Sequence, residues 1–195
     1  MGIAASAAPA ALISYTNFTP ITTLHSGDLV EGGITATLTS TTGAGTFTGT
    51  ATYLGHSSSQ SQYFDSGTTV ASREGFTAVF DQAVTLKTLV FTDGTLESTE
   101  QFSLAIGGGT TQTFAGAVLV SGLFDVGANY IGDNVLGAGQ AMTFIAMPTT
   151  AQTVTSSRFR LNGITIDNVV PEPASLGLCL VGLGMMSLRR RRANR

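Results

Sequence analysis

The chain has 195 residues, of which 43% are hydrophobic and only 11% are charged, and its formal net charge is −3. Five of the nine basic residues lie after residue 188, so the preceding part of the chain is markedly acidic and a nucleic-acid-binding function, which requires a basic surface, is excluded. The single cysteine, Cys179, excludes an intramolecular disulfide and a cysteine-based metal site.

The first twelve residues are small and apolar and contain the cleavage-like pattern Ala5-Ser6-Ala7. They lack a positively charged region in front of an apolar core, which a complete signal peptide would have. We interpret residues 1–12 as the remnant of a signal peptide or as a disordered arm. The folded domain is expected to span residues 13–169.

Hydrophobic residues alternate with polar ones through most of residues 34–169, as in Ile34-Thr35-Ala36-Thr37-Leu38. This period of two predicts strands whose threonines face solvent. Asn162-Gly163 is a strong signal for a tight hairpin turn. The regular spacing of short strands predicts an all-β fold, an antiparallel β-sandwich or jelly roll. The predicted strands are residues 34–39, 47–53, 76–80, 84–91, 101–106, 111–114, 118–123, 142–146, 157–161 and 164–169.

Two segments, residues 54–74 and 125–139, lack a clear pattern and are interpreted as long irregular loops. They contain aromatic and amide side chains that could stack on sugar rings and bind hydroxyl groups. If the two loops meet at one end of the fold, these side chains would form a ligand rim. The rim residues are Tyr63, Phe64, Asn129 and Tyr130.

Acidic residues in glycine-containing turns are candidate calcium ligands, because calcium binds six to eight oxygen atoms, often from loops. Their spacing does not match a known calcium loop, and the same residues are common where side chains cap a turn. Calcium is therefore the one candidate cofactor. The candidate ligands are Asp93, Glu97, Glu100, Asp125 and Asp133.

Catalytic patterns are sparse. The only histidines are His25 and His56, and no G-x-S-x-G motif is present. A triad could be drawn from His56, a neighbouring serine and Asp65, but Ser57 to Ser61 is of low complexity. We expect His56 to be a solvated loop residue, and we predict no catalytic residues and no enzymatic activity.

The C-terminal segment, residues 170–195, combines a rigid motif, an apolar run and a cluster of arginines. Each proline favours extended backbone, so the motif is expected to form an exposed spur. As a helix the apolar run would span roughly 22 Å, less than the hydrocarbon core of about 30 Å, so it predicts a short apolar helix that anchors transiently. The parts are the motif at 170–174, the apolar segment at 174–188 and the basic stop at 189–195.

This tail resembles the PEP-CTERM sorting signal of Gram-negative and related bacteria. The residues that carry the resemblance are Val170, Pro171, Glu172 and Pro173, followed by the apolar run and by Arg189, Arg190, Arg191 and Arg192. The resemblance implies export, transient anchoring in the inner membrane with the arginines on the cytoplasmic side, and processing by an exosortase-like enzyme. It also implies an association with exopolysaccharide producers. The resemblance covers only the tail and implies no activity for the domain.

We therefore expect an exported cell-surface or extracellular-matrix protein with a structural or adhesive role in the exopolysaccharide layer. The alternatives are a calcium-dependent carbohydrate-binding module and a secreted hydrolase whose site is not recognised. Few charges guard the edges of the predicted sheets, so self-association edge to edge is also predicted.

Overall fold

The computed structural model describes residues 12–41, 45–56, 63–66, 72–91, 96–148 and 158–169. By its contacts the chain divides into two units, and the larger one, Ala11–Asn168, contains every described strand. The predicted N-terminal arm, apart from Leu12, and the predicted motif, apolar helix and basic stop of the tail lie outside the described residues. Within the described part the fold is all-β and antiparallel, with very little helix.

The larger sheet has six strands. Its central strands alternate buried apolar residues with half-buried threonines, as β3 does from Ile34 to Ser40, because neighbouring side chains of a strand point to opposite faces. Gly32 and Gly33 have positive φ and form the tight turn between β2 and β3. In spatial order the strands are β10 (Gln112–Ala115), β9 (Gln101–Ile106), β13 (Ala141–Met147), β7 (Gly75–Phe80), β3 (Ile34–Ser40) and β2 (Ser26–Glu31).

The second sheet has five strands and joins the beginning of the domain to its end. In spatial order the strands are β1 (Leu12–Tyr15), β15 (Gly163–Asn168), β8 (Val84–Val90) and β11 (Leu123–Asp125), with β12 (Val135–Leu136) also on β8. The last strand, β15, pairs with β1 on one side and with β8 on the other, and the short strands β11 and β12 pair with the far side of β8.

Two short strand pairs, one turn of α-helix and two 3₁₀ turns, at Thr19–Ile21 and Gly116–Val118, complete the described structure. The pairs lie near the end of the larger sheet at which β3 ends and β7 begins. They are β4 (Phe47–Gly49) with β5 (Leu54–His56), and β6 (Phe64–Asp65) with β14 (Arg158–Phe159). The helix, α1 (Val126–Asn129), follows β11.

The all-β prediction is confirmed, but three predicted segments are wrong. Residues 47–53 are not one strand, because Thr50 N donates to Tyr53 O (3.0 Å) and the chain turns between β4 and β5. Residues 118–123 reverse direction at Ser121 and Gly122, both of which have positive φ. Asn162 is not a hairpin turn, because β14 pairs with β6 whereas β15 pairs with β8.

The core is rich in phenylalanine. Phe144 of β13 lies at its centre, with its ring centroid 5.2 Å from that of Phe76 and 5.3 Å from that of Phe102. Rings from both large sheets meet, since Phe102 of β9 lies 5.0 Å from Phe124 of β11 in an edge-on arrangement. Such edge-to-face and offset contacts are favourable beyond the area that they bury.

No helix within the described ranges has the length and apolar character needed to cross a membrane.

Tyr15 attaches the first strand to the larger sheet. Its side chain is buried, its hydroxyl donates to Ile34 O (2.9 Å), and its ring lies 6.1 Å from that of Phe80. Burial, together with the negative charges of Asp81 and Glu31, raises the pKa of the Tyr15 phenol well above its usual value near 10. The phenol therefore stays protonated in the folded protein under conditions in which an unfolded chain would release its proton.

This pKa shift predicts a loss of stability at alkaline pH. The Tyr15 contribution is present below the unfolded-state pKa of about 10 and disappears as the pH rises above that value. The Tyr15→Phe substitution should lower the free energy of unfolding by about 1 kcal/mol at neutral pH and flatten the alkaline decline. Urea unfolding at a series of pH values measures both effects. Parallel pH curves for the two proteins would contradict the assignment.

Candidate functional site

Three polar side chains come together inside the domain, where β3 ends and β7 begins. Ser40 is the last residue of β3 and continues the inward series Ile34, Ala36 and Leu38. Its position on the inner face follows from the strand period of two. A serine replaces the expected apolar residue at that point, and it lies opposite Phe76 of β7. A hydroxyl group buried there needs a hydrogen-bond partner.

His56 provides that partner. It is the last residue of β5, its side chain is 0% exposed, and its ring packs edge-on against Phe47 at 6.3 Å. Its backbone N donates to Tyr63 O (3.0 Å), which joins β5 to the strand that follows. The expectation of a solvated loop histidine is wrong, because the segment after Tyr53 forms a buried strand of the core.

Glu74 is the buried acid of the site, with 1% of its surface exposed. Its carboxylate Oε2 accepts from the backbone N of Asp65 (2.9 Å), and its own backbone N donates to Asp65 O (2.9 Å). Its carbonyl accepts from Ala146 N (2.8 Å). A side chain on the next residue, Gly75, would collide with the backbone at Phe144, so the glycine permits the close strand approach that fixes Glu74.

The three side chains form a chain of contacts. Ser40 Oγ lies 2.6 Å from His56 Nε2, and His56 Nδ1 lies 3.3 Å from Glu74 Oε1. We call this the Ser40–His56–Glu74 network. It has the order hydroxyl, imidazole, carboxylate, with one ring nitrogen for each neighbour. Such an order allows the hydroxyl proton to move to the imidazole while the carboxylate holds the ring.

The triad that was considered and set aside in the sequence joined His56 to a neighbouring serine and to Asp65. The structure instead uses Ser40, from another strand, and Glu74, which directly precedes β7. Asp65 contributes its backbone rather than its carboxylate to Glu74. The only available signal was a serine at an inward position of the alternating strand β3.

The structure does not bring the predicted ligand-rim residues together. Tyr63 lies near Glu74 and packs against Arg160, whose guanidinium carbon is 4.4 Å from the ring centroid. Tyr130 lies near Ile106, at the opposite end of β9 and its neighbours, and its hydroxyl donates to Thr110 O (3.0 Å).

Burial gives a second reason why the rim does not form. Phe64 is fully buried among the phenylalanines of the core, and Tyr130 is also buried. The Asn129 amide is occupied by its bond to Asp125 O (2.8 Å). These positions remove the basis for the carbohydrate rim.

The described candidate calcium ligands bond to the backbone of their own turns. Asp125 caps α1 through Ala128 N (3.0 Å), and Asp133 accepts from Val135 N (2.9 Å). Glu100 accepts from the backbone N of Glu97 (2.8 Å). Asp93 lies outside the described residues. Over the ranges that the structure covers, no three metal-binding side chains of the His, Cys, Asp or Glu type form a group.

The network predicts a large difference between the two histidines. His56→Ala should lower the free energy of unfolding by about 3–5 kcal/mol, because it removes a group that contacts the buried carboxyl of Glu74. His25→Ala is the matched control: His25 is exposed and its side chain makes one hydrogen bond, with Gly45 O (2.9 Å), so its loss should cost about 1 kcal/mol or less. Thermal and urea unfolding measure both values, and equal small costs would contradict the contact between His56 and Glu74.

Comparison with known proteins identifies only the C-terminal segment. Residues 169–193 match the family model described as the PEP-CTERM protein-sorting motif. No curated protein and no solved structure matches the chain. The matched range contains the motif residues Val170, Pro171, Glu172 and Pro173 and the arginines Arg189, Arg190, Arg191 and Arg192, all outside the described residues.

The match confirms the resemblance seen in the sequence and assigns no family to residues 12–168. A motif of this type indicates export and targeting to the cell surface or the extracellular space. The chain therefore carries a PEP-CTERM protein-sorting motif, and it is a protein that an exosortase-type system sorts.

Proposed function

We propose that this chain is an exported surface or matrix protein with a structural or adhesive role in the exopolysaccharide layer. The observation that carries the proposal is the position of the sorting motif. The matched segment begins at residue 169, directly after β15 ends at Asn168. The folded domain is thus joined, without a long linker, to the segment that determines its destination.

The proposal includes a sandwich arrangement of the two large sheets. Three ring contacts between the sheets support it. Tyr15 of β1 meets Phe80 of β7, while Phe102 of β9 and Phe114 of β10 both meet Phe124 of β11. Side chains from facing sheets interdigitate in this way in β-sandwiches.

The attachment point suits a protein that has to resist tension. β15 pairs with β1 through four residues and with β8 through six, so both of its edges are bonded. A pull on the C-terminal end of such a strand acts on several backbone hydrogen bonds at once. A strand at the edge of a sheet would be held on one side only.

The outward face of the six-stranded sheet supports an adhesive role. We call the outward side chains of this sheet the hydroxyl face. Across it runs a row of paired residues, one from each of five neighbouring strands: Ser26, Thr39, Thr77, Thr143 and Ala105. Strands lie about 4.8 Å apart, so the row spans roughly 19 Å.

The hydroxyl face is almost free of charge. Among the outward positions of the six described strands, Asp28 on the edge strand β2 is the charged residue, and it accepts a hydrogen bond from Thr37 Oγ1 (2.7 Å). Hydroxyl groups both donate and accept hydrogen bonds, as the hydroxyl groups of sugars do. A surface with this chemistry could lie against a polysaccharide without the cost of desolvating charges.

Edge-to-edge self-association stays a prediction. The edge strand β2 carries the acidic residues Asp28 and Glu31. At the opposite edge, the side chain of Gln112 on β10 makes two hydrogen bonds to the backbone of Ile131, at 2.7 and 3.0 Å. Charges and covering loops of this kind reduce pairing between copies, so any association should be weak.

The sorting motif gives a direct test of destination. Pro171→Ala combined with Pro173→Ala removes the backbone restraint of the motif and should leave the protein in the membrane fraction. The unfolding temperature should not change, because the motif follows the last strand. Cell fractionation and immunodetection measure the outcome, with Pro20→Ala, on an exposed 3₁₀ turn of the domain, as a control. Normal surface delivery of the double variant would contradict the proposal.

The hydroxyl face gives a test of adhesion. Thr143→Glu places a charge at the centre of the face and should weaken retention in isolated exopolysaccharide at least several-fold. Ser14→Glu is the matched control, because Ser14 is an exposed outward residue of β1 in the other sheet. Co-sedimentation of the purified variants with the polymer measures retention. Equal retention of both variants would remove the face from the proposal.

A further inference from the structure

The Ser40–His56–Glu74 network has the parts of a nucleophilic site. We propose that Ser40 accepts an acyl group from a small uncharged ester, with His56 as general base and Glu74 as the residue that orients the imidazole. This activity is separate from sorting and adhesion, and it concerns residues that lie inside the domain rather than in the tail.

The distances support the first step. A nucleophile and its base must lie within hydrogen-bonding reach, about 2.6–3.2 Å, with the base held by a third group. Ser40 Oγ and His56 Nε2 are 2.6 Å apart, which meets the first requirement. Glu74 Oε1 lies 3.3 Å from the other ring nitrogen, Nδ1, a contact within ion-pair range but longer than a hydrogen bond of this kind. The carboxyl group is itself fixed by Asp65 N (2.9 Å), which holds it beside the ring.

The order of burial supports the assignment of roles. Ser40 is 6% exposed, whereas His56 is 0% and Glu74 is 1% exposed. Ser40 is thus the least buried of the three residues, which is the order that a substrate approaching the serine requires. The low exposure of Ser40 restricts the substrate to a small acyl group. The buried carboxylate of Glu74 disfavours an anionic one, because like charges repel strongly in a medium of low dielectric.

The proposed reaction has two steps. In the first, Ser40 Oγ attacks the ester carbonyl while its proton moves to His56 Nε2, and the bond to the leaving alkoxide breaks as that proton is returned to it. In the second, a water molecule attacks the acyl carbon and passes a proton through His56 to Ser40 Oγ. The products are an alcohol and a carboxylic acid, and the site returns to its starting state.

A purely structural network would hold the same three side chains together, so the test must detect chemistry. The purified full-length protein is incubated with p-nitrophenyl acetate, and the adduct is located by intact mass and peptide mapping. We expect acetyl transfer to Ser40 in the folded wild type and none in Ser40→Ala. Ser103→Ala is the matched control, because Ser103 is a buried serine on β9, which β13 and β7 separate from β3 and Ser40, and acetylation of Ser40 should persist in it.

The other two members have distinct effects. His56→Gln should slow acetylation at least about 100-fold, the loss typical for a general base. Glu74→Gln should lower the limiting rate without changing the ester concentration that gives half of that rate, because Glu74 does not touch the ester. Thermal unfolding shows which variants are folded. If His56→Gln does not fold, the comparison of the wild type with Ser40→Ala, a smaller change, provides the test.

The overturning results are equally clear. Absence of both an adduct on Ser40 and a release of p-nitrophenol above that of Ser40→Ala, in the folded wild type, would show that the network is structural only. Acetylation of Ser40 at the same rate in a folded His56→Gln variant would remove the general base from the mechanism. Neither result would affect the proposed sorting, which depends on residues after Asn168.

Discussion

The pairing of β15 with both β1 and β8 is the constraint on which the rest of the structure depends. It joins the first and last described strands, and the hydroxyls of Ser14 and Thr165 lie 3.3 Å apart across 151 positions of sequence. The five-stranded sheet is therefore incomplete until the end of the domain has emerged. Contacts between such distant residues make folding slow compared with local contacts. Because the sorting motif follows directly, the chain exposes the motif at the same point at which the domain can close.

The aromatic core stabilises a domain that has few charged residues. Phe144 and its neighbours supply a large apolar surface, and the Phe102 ring of one sheet contacts the Phe124 ring of the other. The polar network occupies one side of this core, where Phe64 and Phe76 lie next to the residues around Glu74. A buried carboxylate is tolerated there because His56 and the Asp65 backbone both contact it.

Local patterning predicted the fold class because β3 alternates strictly between buried and half-buried residues and β7 does so from Phe76 to Phe80. The same reasoning failed where one local signal competed with another. Thr50 and Thr52 are good strand residues, but their side chains bind within a turn, with Thr52 N donating to Thr50 Oγ1 (3.2 Å). Asn162-Gly163 resembles a hairpin turn, yet the Asn162 side chain donates to Thr52 O (2.8 Å), far away in sequence.

The candidate site could not be predicted from the sequence for a related reason. Its partners come from three strand regions, and only the register between β3 and β7, together with the β4–β5 pair, places Ser40 beside His56 and Glu74. Candidate ligands chosen for their residue type alone, such as Tyr130 and Asp125, proved to serve packing and capping. The tail was recognisable because its signal is local: a motif, an apolar run and a basic stop in a fixed order.

Cleavage at the motif would remove the sorting signal from the domain without removing a described strand, since β15 ends at Asn168. The most direct test is the intact mass and C-terminal sequence of the protein recovered from the cell surface. The account predicts a chain that retains Asn168 and lacks the arginine cluster Arg189 to Arg192. A surface-recovered chain that still carries those arginines, or one that ends before Asn168, would contradict it.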